Sequence, residues 1–355
     1  MKRTDLISLN LFGDFSPSEV EILMESSFEP SSPFIHEQFK DESLNRKLDN
    51  YLKKFNKKIL EKEIEKIESS DVEILTFWDD EYPPFLREIP SPPILLYCKG
   101  EIELLKTELT MAVVGTRKPT SYGKKIARDL TSELVKLGFI VVSGVAAGID
   151  TIAHLTAVEN SGKTIGILGC GINIVYPSHN SKVYSLIAEN GCLVSEYPLN
   201  TPPFKHNFPR RNRIIAGMSM GTLVIEAGER SGSLITARLA LEYNRNVFSV
   251  PGNINSPMST GTNRLIKFGA KITTCVEDIK EEYPYLSFKN DSRETIEELS
   301  KDEQVLIEKI KEGQNEFDTL LNSMGWDFSK LSEVLTQLEI KGFITREGGR
   351  FTAGI

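Results

Sequence analysis

Residues 139–150 read Phe139-Ile140-Val141-Val142-Ser143-Gly144-Val145-Ala146-Ala147-Gly148-Ile149-Asp150, and this stretch decides the fold class. Its first four residues are apolar without alternation, and three of them are β-branched. That is the pattern of a strand buried on both faces. A glycine-bearing loop follows, and then an amphipathic stretch. The same unit recurs along the chain. The run at 111–114 leads into Gly115-Thr116-Arg117, 164–168 into Gly169-Cys170-Gly171, and 192–194 into Ser195-Glu196-Tyr197-Pro198. Likewise 222–225 leads into Glu226-Ala227-Gly228-Glu229-Arg230-Ser231-Gly232-Ser233, and 246–250 into Pro251-Gly252-Asn253. Amphipathic stretches at 122–137, 181–189 and 233–243 lie between the runs. Strand–helix alternation with doubly buried strands predicts an α/β fold built on a doubly wound, mainly parallel sheet.

Working outward, residues 1–70 read as a small helical accessory domain, with Leu48, Leu52, Ile59, Leu60, Ile64 and Ile67 spaced among Lys and Glu. The stretch Pro30-Ser31-Ser32-Pro33 divides it. Residues 71–105 form a connector dense in proline and aromatics, too proline-rich for a long helix and too apolar to float. The α/β domain runs over 71–285, and 286–299 is a polar linker. From 300 to 355, three helical segments and a strand–Gly348-Gly349–strand pattern predict a winged helix.

The chain has 355 residues, enough for two or three cores. No run of about 18 apolar residues predicts a membrane span, and the amino terminus lacks the apolar core of a secretory signal. Cys98, Cys170, Cys192 and Cys275 are scattered, as expected of reduced core thiols in a cytoplasmic protein. Their spacing suggests no metal site, and no cofactor is expected. The net charge is −8, but residues 101–280 carry +6 and the flanks −14. A polyanion would therefore be bound by the middle of the chain.

That middle contains Phe204-Lys205-His206-Asn207-Phe208-Pro209-Arg210-Arg211-Asn212-Arg213, with no acid between Glu196 and Glu226. Cations beside aromatic rings suit single-stranded nucleic acid. In a doubly wound sheet, the glycine loops gather at the carboxyl edge of the strands. There, backbone N–H groups and helix N-termini can cradle phosphate. The loop candidates are Gly115, Thr116, Ser143, Gly144, Gly148, Gly169, Gly171, Gly232, Ser233 and Gly252. Tight strand-to-helix turns also call for glycine, so any one loop is weak evidence. A dinucleotide site is disfavoured because Gly115-Thr116-Arg117 lacks the G-x-G-x-x-G spacing, and no P-loop motif occurs. Ser233 reads as a hydroxyl N-cap.

Several motifs together resemble the DNA-processing protein A (DprA/Smf) family over roughly residues 72–280. They are Val114-Gly115-Thr116-Arg117, the Ser143–His154 stretch, Tyr176-Pro177, Phe208-Pro209-x-Arg211-Asn212-Arg213, Gly232-Ser233-Leu234-Ile235-Thr236-Ala237 and Val250-Pro251-Gly252. The resemblance implies an extended Rossmann-like fold and a homodimer. It also implies binding of single-stranded DNA, protection of incoming strands and loading of the RecA recombinase in natural transformation. It assigns Arg117 a phosphate, Lys205 a DNA contact and Phe208 a stacked base, with Arg211 and Arg213 lining the same pocket. The amino-terminal region departs from the family pattern, keeping only Leu11-Phe12-Gly13-Asp14-Phe15 of a Gly-x-Gly turn. The acidic winged helix, net −3 from Ser300 onward, points to protein contacts or duplex assistance rather than groove reading.

Catalytic candidates are weak. Asp150 and His154, four apart, could face each other, but both are expected to be structural. Glu226, Glu229 and Arg230 lack the Pro-Gly-Gly-x-Gly-Thr-x-x-Glu context of related phosphoribohydrolases. A non-enzymatic DNA-binding mediator is therefore expected. The alternative is a nucleotide-processing, phosphoribohydrolase-like enzyme at the same edge.

Overall fold

In the computed structural model of the chain, strand β3 (Thr110–Val114) is the pivot of the sheet. The structure describes residues 1–26, 28–31, 39–286, 288, 300–340, 343–347 and 350–353. Most of the expected linker, Pro33, and Gly348-Gly349 of the expected hairpin turn lie outside the described residues. On one side of β3, helices α6 (Ser121–Lys136), α7 (Ile149–Glu159) and α8 (Ser181–Asn190) lead in turn to β4 (Ile140–Ser143), β5 (Thr164–Leu168) and β6 (Gly191–Ser195). All three strands are parallel to β3. Helix α9 (Asn207–Gly217) then carries the chain back across to β7 (Gly221–Val224), which pairs with the other side of β3. Helices α10 (Ser233–Glu242) and α11 (Thr260–Lys267) lead on to β8 (Asn246–Ser249) and the edge strand β9 (Lys271–Ile272). Every residue of β3, β4, β5, β6 and β7 is buried, as the unalternating apolar runs require. The loops leaving β3 and β7 diverge, because their chains depart in opposite directions. A crevice opens between them at the point where strand order reverses.

The connector contributes more than packing. It supplies β1 (Glu73–Thr76) and β2 (Leu95–Gly100), joined through the short helix α5 (Pro84–Arg87). β2 adds antiparallel to β6, with Tyr97 opposite Ser195, and β1 pairs with β2. The amino-terminal helices are α1 (Arg3–Phe12), α2 (Pro17–Met24), α3 (Glu42–Lys54) and α4 (Lys57–Glu68). Leu9, Leu48 and Tyr51 belong to one apolar cluster with Tyr97, Ile187 and Leu193, so these helices share a core with the sheet. The Ser8 and Tyr51 hydroxyls lie 2.6 Å apart inside it, giving two buried polar groups the partners they need. Helix α12 (Glu277–Lys280) lies near the end of this unit, which spans Met1–Leu286.

A second compact unit covers Ser287–Ile355. It holds α13 (Lys301–Lys311), α14 (Phe317–Met324) and α15 (Phe328–Ile340), followed by β10 (Ile344–Glu347) paired antiparallel with β11 (Arg350–Ala353). Its core is built on Leu306, Leu320, Leu331, Leu338, Ile344 and Phe351. Ser300 opens α13 with a reciprocal capping box to Glu303. Three helices and a hairpin are the winged-helix arrangement expected from the pattern.

Candidate nucleic-acid interface

The basic segment that stands out in the sequence is largely a helix. α9 starts at Asn207, whose buried side-chain amide donates to Gly169 O at 3.1 Å and pins the helix start to the loop after β5. Pro209 sits in the first turn, where no intrahelical donor is required of it. From there the 3.6-residue period sorts the cations. Phe208, Arg211, Asn212 and Ile215 share one face, and Arg210 and Arg213 fall on another.

The first face forms one wall of a cavity of about 650 Å³ at the crevice between β3 and β7. The opposite wall is Gly115-Thr116-Arg117, and the end is closed by Arg230 to Ser233 before α10. Arg117, Lys205 and Arg211 thus share one concavity, with Phe208 among them. Arg117 and Lys205 are exposed. The Arg117 and Arg211 guanidinium carbons lie 5.7 and 6.0 Å from the Phe208 ring centroid, within cation–π range. Tyr176 adds a second ring, 5.3 Å from Phe208 and inclined by 39°. Its main chain is clamped by the Tyr184 hydroxyl, which accepts from Tyr176 N and donates to Tyr176 O, both at 3.1 Å. Tyr176 and Arg230 both line the site; sequence reasoning names Tyr176 only within a motif and Arg230 only among weak catalytic candidates, neither as a ligand contact. The motif Tyr176-Pro177 is visible in the sequence, but nothing there shows that its ring turns toward Phe208.

Arg211 is a different kind of cation. It is 3% exposed, and its Nη1 donates to Gly144 O at 2.7 Å and to Ile167 O. Burial lowers its pKa, while the nearby Asp150 charge opposes that effect. It therefore ties α9 to the ends of β4 and β5 and offers little to solvent. Asp150, buried beside it, accepts from Ala146 N at 3.4 Å, and burial raises its carboxyl to about 6 against the pull of Arg211. His154 does not face Asp150. Its Nδ1 lies 2.7 Å from Thr164 Oγ1, whose own proton goes to Val141 O. Nδ1 is therefore the protonated nitrogen, and buried Nε2 has no partner. Burial first, then the charge of Arg211, lowers the His154 pKa to about 3, so the ring is neutral. Glu226 is equally committed, accepting from Thr120 N at 2.9 Å and Thr120 Oγ1 at 2.6 Å at the start of α6.

The glycine loops divide into lining and foundation. Gly115, Thr116, Gly232 and Ser233 line the cavity. Gly144 and Gly169 lie beneath it: a Cβ at Gly144 would fall 2.6 Å from Arg211 Nη2, and one at Gly169 would fall 2.8 Å from Phe208 Cδ1. Gly148 has φ +88° and brings the start of α7 against Thr116 and Arg117, so a side chain is excluded there twice over. Four expectations are corrected. The Ser143 hydroxyl is buried and donates to Val113 O at 2.6 Å, out of reach of a ligand. Gly171 packs against Pro198 and Thr201, and Gly252 against Ser259, both away from the cavity. Ser233 does not cap α10 with its hydroxyl; it is the first helical residue, behind Gly232 at the cap position.

Arg213 is also placed differently from the expectation of a shared pocket. It pairs with Glu196, and Arg210 bonds Asp14 Oδ1 at 2.7 Å. Two carboxylates brought in by the fold neutralise a segment that has no acid near it in sequence after Glu196.

The chain matches the family described as DNA recombination-mediator protein A over residues 73–284, and the DprA winged helix domain over residues 290–350. It belongs to the DNA recombination-mediator protein A (DprA/Smf) family. It is 38% identical to DNA processing protein DprA of Bacillus subtilis (strain 168) over 260 residues, 73% of this chain and 87% of the relative. It is 36% identical to protein Smf of Escherichia coli (strain K12) over 306 residues, 84% and 81% of the two chains. Among solved structures, DprA from Streptococcus pneumoniae aligns with TM-score 0.68 at 33% identity, covering 79% of this chain and 98% of that one. The structure of DNA processing protein A from Helicobacter pylori, solved for its unique single-stranded DNA binding mode, aligns with TM-score 0.55 at 35% identity, covering 60% and 96%.

Proposed function

We propose that this chain is a non-catalytic single-stranded DNA-binding protein that protects incoming DNA and loads RecA during natural transformation and recombination. The observation that carries the reading is the convergence of Arg117, Lys205, Phe208 and Tyr176 in one cavity at the sheet's switch point. Arg117, Lys205 and Arg230 are exposed cations that meet phosphates, and the rings receive bases, which favours unpaired strands over duplex. The binding mode named for the Helicobacter pylori relative supports the same ligand here. Arg211 acts as the brace that holds Phe208 in position. Asp150, His154 and Glu226 are each engaged within the protein, which supports a role without bond chemistry. RecA loading and a homodimer are part of the same proposal, supported by membership of a recombination-mediator family.

Salt-dependent gel shifts with oligothymidylate and with duplex test the reading. Three exposed cations predict a log–log salt slope of about −2 per site on single strands, at roughly −0.7 per phosphate. Tighter binding to duplex, or a slope near zero, would overturn it. Turnover of a mononucleotide would favour the phosphoribohydrolase-like alternative.

A further inference from the structure

The second face of α9 opens on a cavity of its own, of about 390 Å³, between the turn after α1, the Ser91–Ile94 segment and Glu196–Pro198. Pockets for small ligands begin at about this size. Lys47, Arg210 and Arg213 bring three cations to it, Lys47 also pairing with Glu19 at 2.7 Å, and Asp14 and Glu196 bring two carboxylates. Phe15, Pro93 and Tyr197 give it an apolar wall. Arg213 and Glu196 pair through one nitrogen and one oxygen only. Arg213 Nη1 and Glu196 Oε2 are both buried and have no partner. Buried polar groups are normally satisfied, so a donor on one member of an ion pair and an acceptor on the other, both left unmet, mark a place for a complementary edge. Nearer solvent, Arg210 is held by Asp14, whose side chain is 74% exposed. Such an exposed pairing is weak, and a phosphate would replace it with a bidentate one.

We propose that this cavity binds one nucleotide, its base edge on Glu196 and Arg213 and its phosphate on Arg210 and Lys47. The pairing edge of every base sets an N–H donor beside an acceptor, which complements a carboxylate beside a guanidinium. The wall of Phe15 and Pro93 covers an apolar face of the ring. The nucleotide is either the next residue of a strand that has filled the first cavity and crossed the start of α9, or a free mononucleotide. The strand source rests on the function proposed above; the free-nucleotide source does not.

The test uses the full chain with dTMP, dGMP and short and long oligothymidylates as probes, by calorimetry and fluorescence anisotropy. Ser91→Trp fills the cavity from an exposed position, Glu196→Gln removes the base-edge acceptor charge, and Lys205→Glu disables the first cavity. For a free nucleotide, wild type binds dTMP or dGMP. Ser91→Trp and Glu196→Gln then weaken this at least tenfold, and Lys205→Glu retains it. For a strand, mononucleotides do not bind, and the two cavity variants weaken the long oligothymidylate about tenfold, the effect of one base contact, while sparing the short one. The proposal is overturned if both cavity variants bind every probe as wild type does. It is also overturned if they weaken short and long strands equally without any mononucleotide binding. Separately, a Lys205→Glu chain that binds the short strand normally would sink the first-cavity reading, and with it the strand source, and leave the free-nucleotide source standing.

Discussion

Phe208 is hemmed in: Arg117 and Arg211 approach its ring, and Gly169 lies against it so closely that no side chain fits there. Tyr176 is the open surface, 39% exposed and fixed at its main chain by Tyr184. Both rings should therefore matter, in different ways. Phe208→Ala and Tyr176→Ala are each expected to weaken oligothymidylate binding by about 1–3 kcal/mol, and Tyr176→Phe should bind as wild type does, all readable by anisotropy titration. His154 makes a prediction about pH. Its folded pKa, about 3, lies below the ordinary 6.5, so the folded state takes up fewer protons than the unfolded one between those values. Its contribution to stability is complete above about 6.5 and is lost as pH falls toward 3. Asp150, raised to about 6, acts in the opposite sense, favouring the folded state at low pH and losing that contribution as pH rises from about 4 to 6. The Tm advantage of wild type over His154→Gln should accordingly shrink from pH 7.5 to pH 5. In sequence, Arg211 and Arg213 are alike, two arginines flanking Asn212. What separates them is helical phase, which places one beneath the cavity floor and turns the other toward Glu196.

Helix α9 is the element that the sequence hides best. Its buried face includes Asn207 and Arg211 beside Ile214, Ile215 and Ala216, so apolar periodicity is broken where it is needed to reveal a helix. The strands β3 to β8 are legible for the opposite reason, since burial on both faces leaves unalternating apolar runs. β1 and β2 are short and flanked by prolines, and their partners lie far along the chain, so composition alone showed only that the region packs. Arg211 is expected to be the most costly residue on α9 to replace. Arg211→Met strips the donor from Gly144 O and Ile167 O and removes the main positive charge beside buried Asp150, leaving only the weaker pull of Arg117. Urea denaturation should show a loss of about 3–5 kcal/mol, the range for breaking a buried charge arrangement from one side. A loss below about 1 kcal/mol would mean that the guanidinium is no brace.

Over the whole molecule, the −8 charge conceals a basic middle within acidic flanks, and the fold refines this further. Arg210 and Arg213 are matched locally by Asp14 and Glu196, leaving Arg117, Lys205 and Arg230 as the exposed cations at the first cavity. Charge counted along the chain therefore overstates what a polyanion meets. At the far end of the sheet, β9 is only two residues long and leaves an edge, with its own Ile272 47% exposed and Phe268 shortly before it 71% exposed. An edge with exposed apolar residues is a surface another chain can cover. Light scattering after size exclusion should give the mass of two chains, and Phe268→Asp should give one. The division of labour on α9 also determines what kind of change the region can absorb. Inserting or deleting a single residue between Asn207 and Arg210 would rotate everything after it by about 100° about the helix axis. The brace would swing outward and the acid-matched arginines inward, emptying two sites at once. Lengthening the Thr201–Pro203 approach would leave that phase untouched, so natural length variation in relatives should collect there and stop at the first turn of the helix.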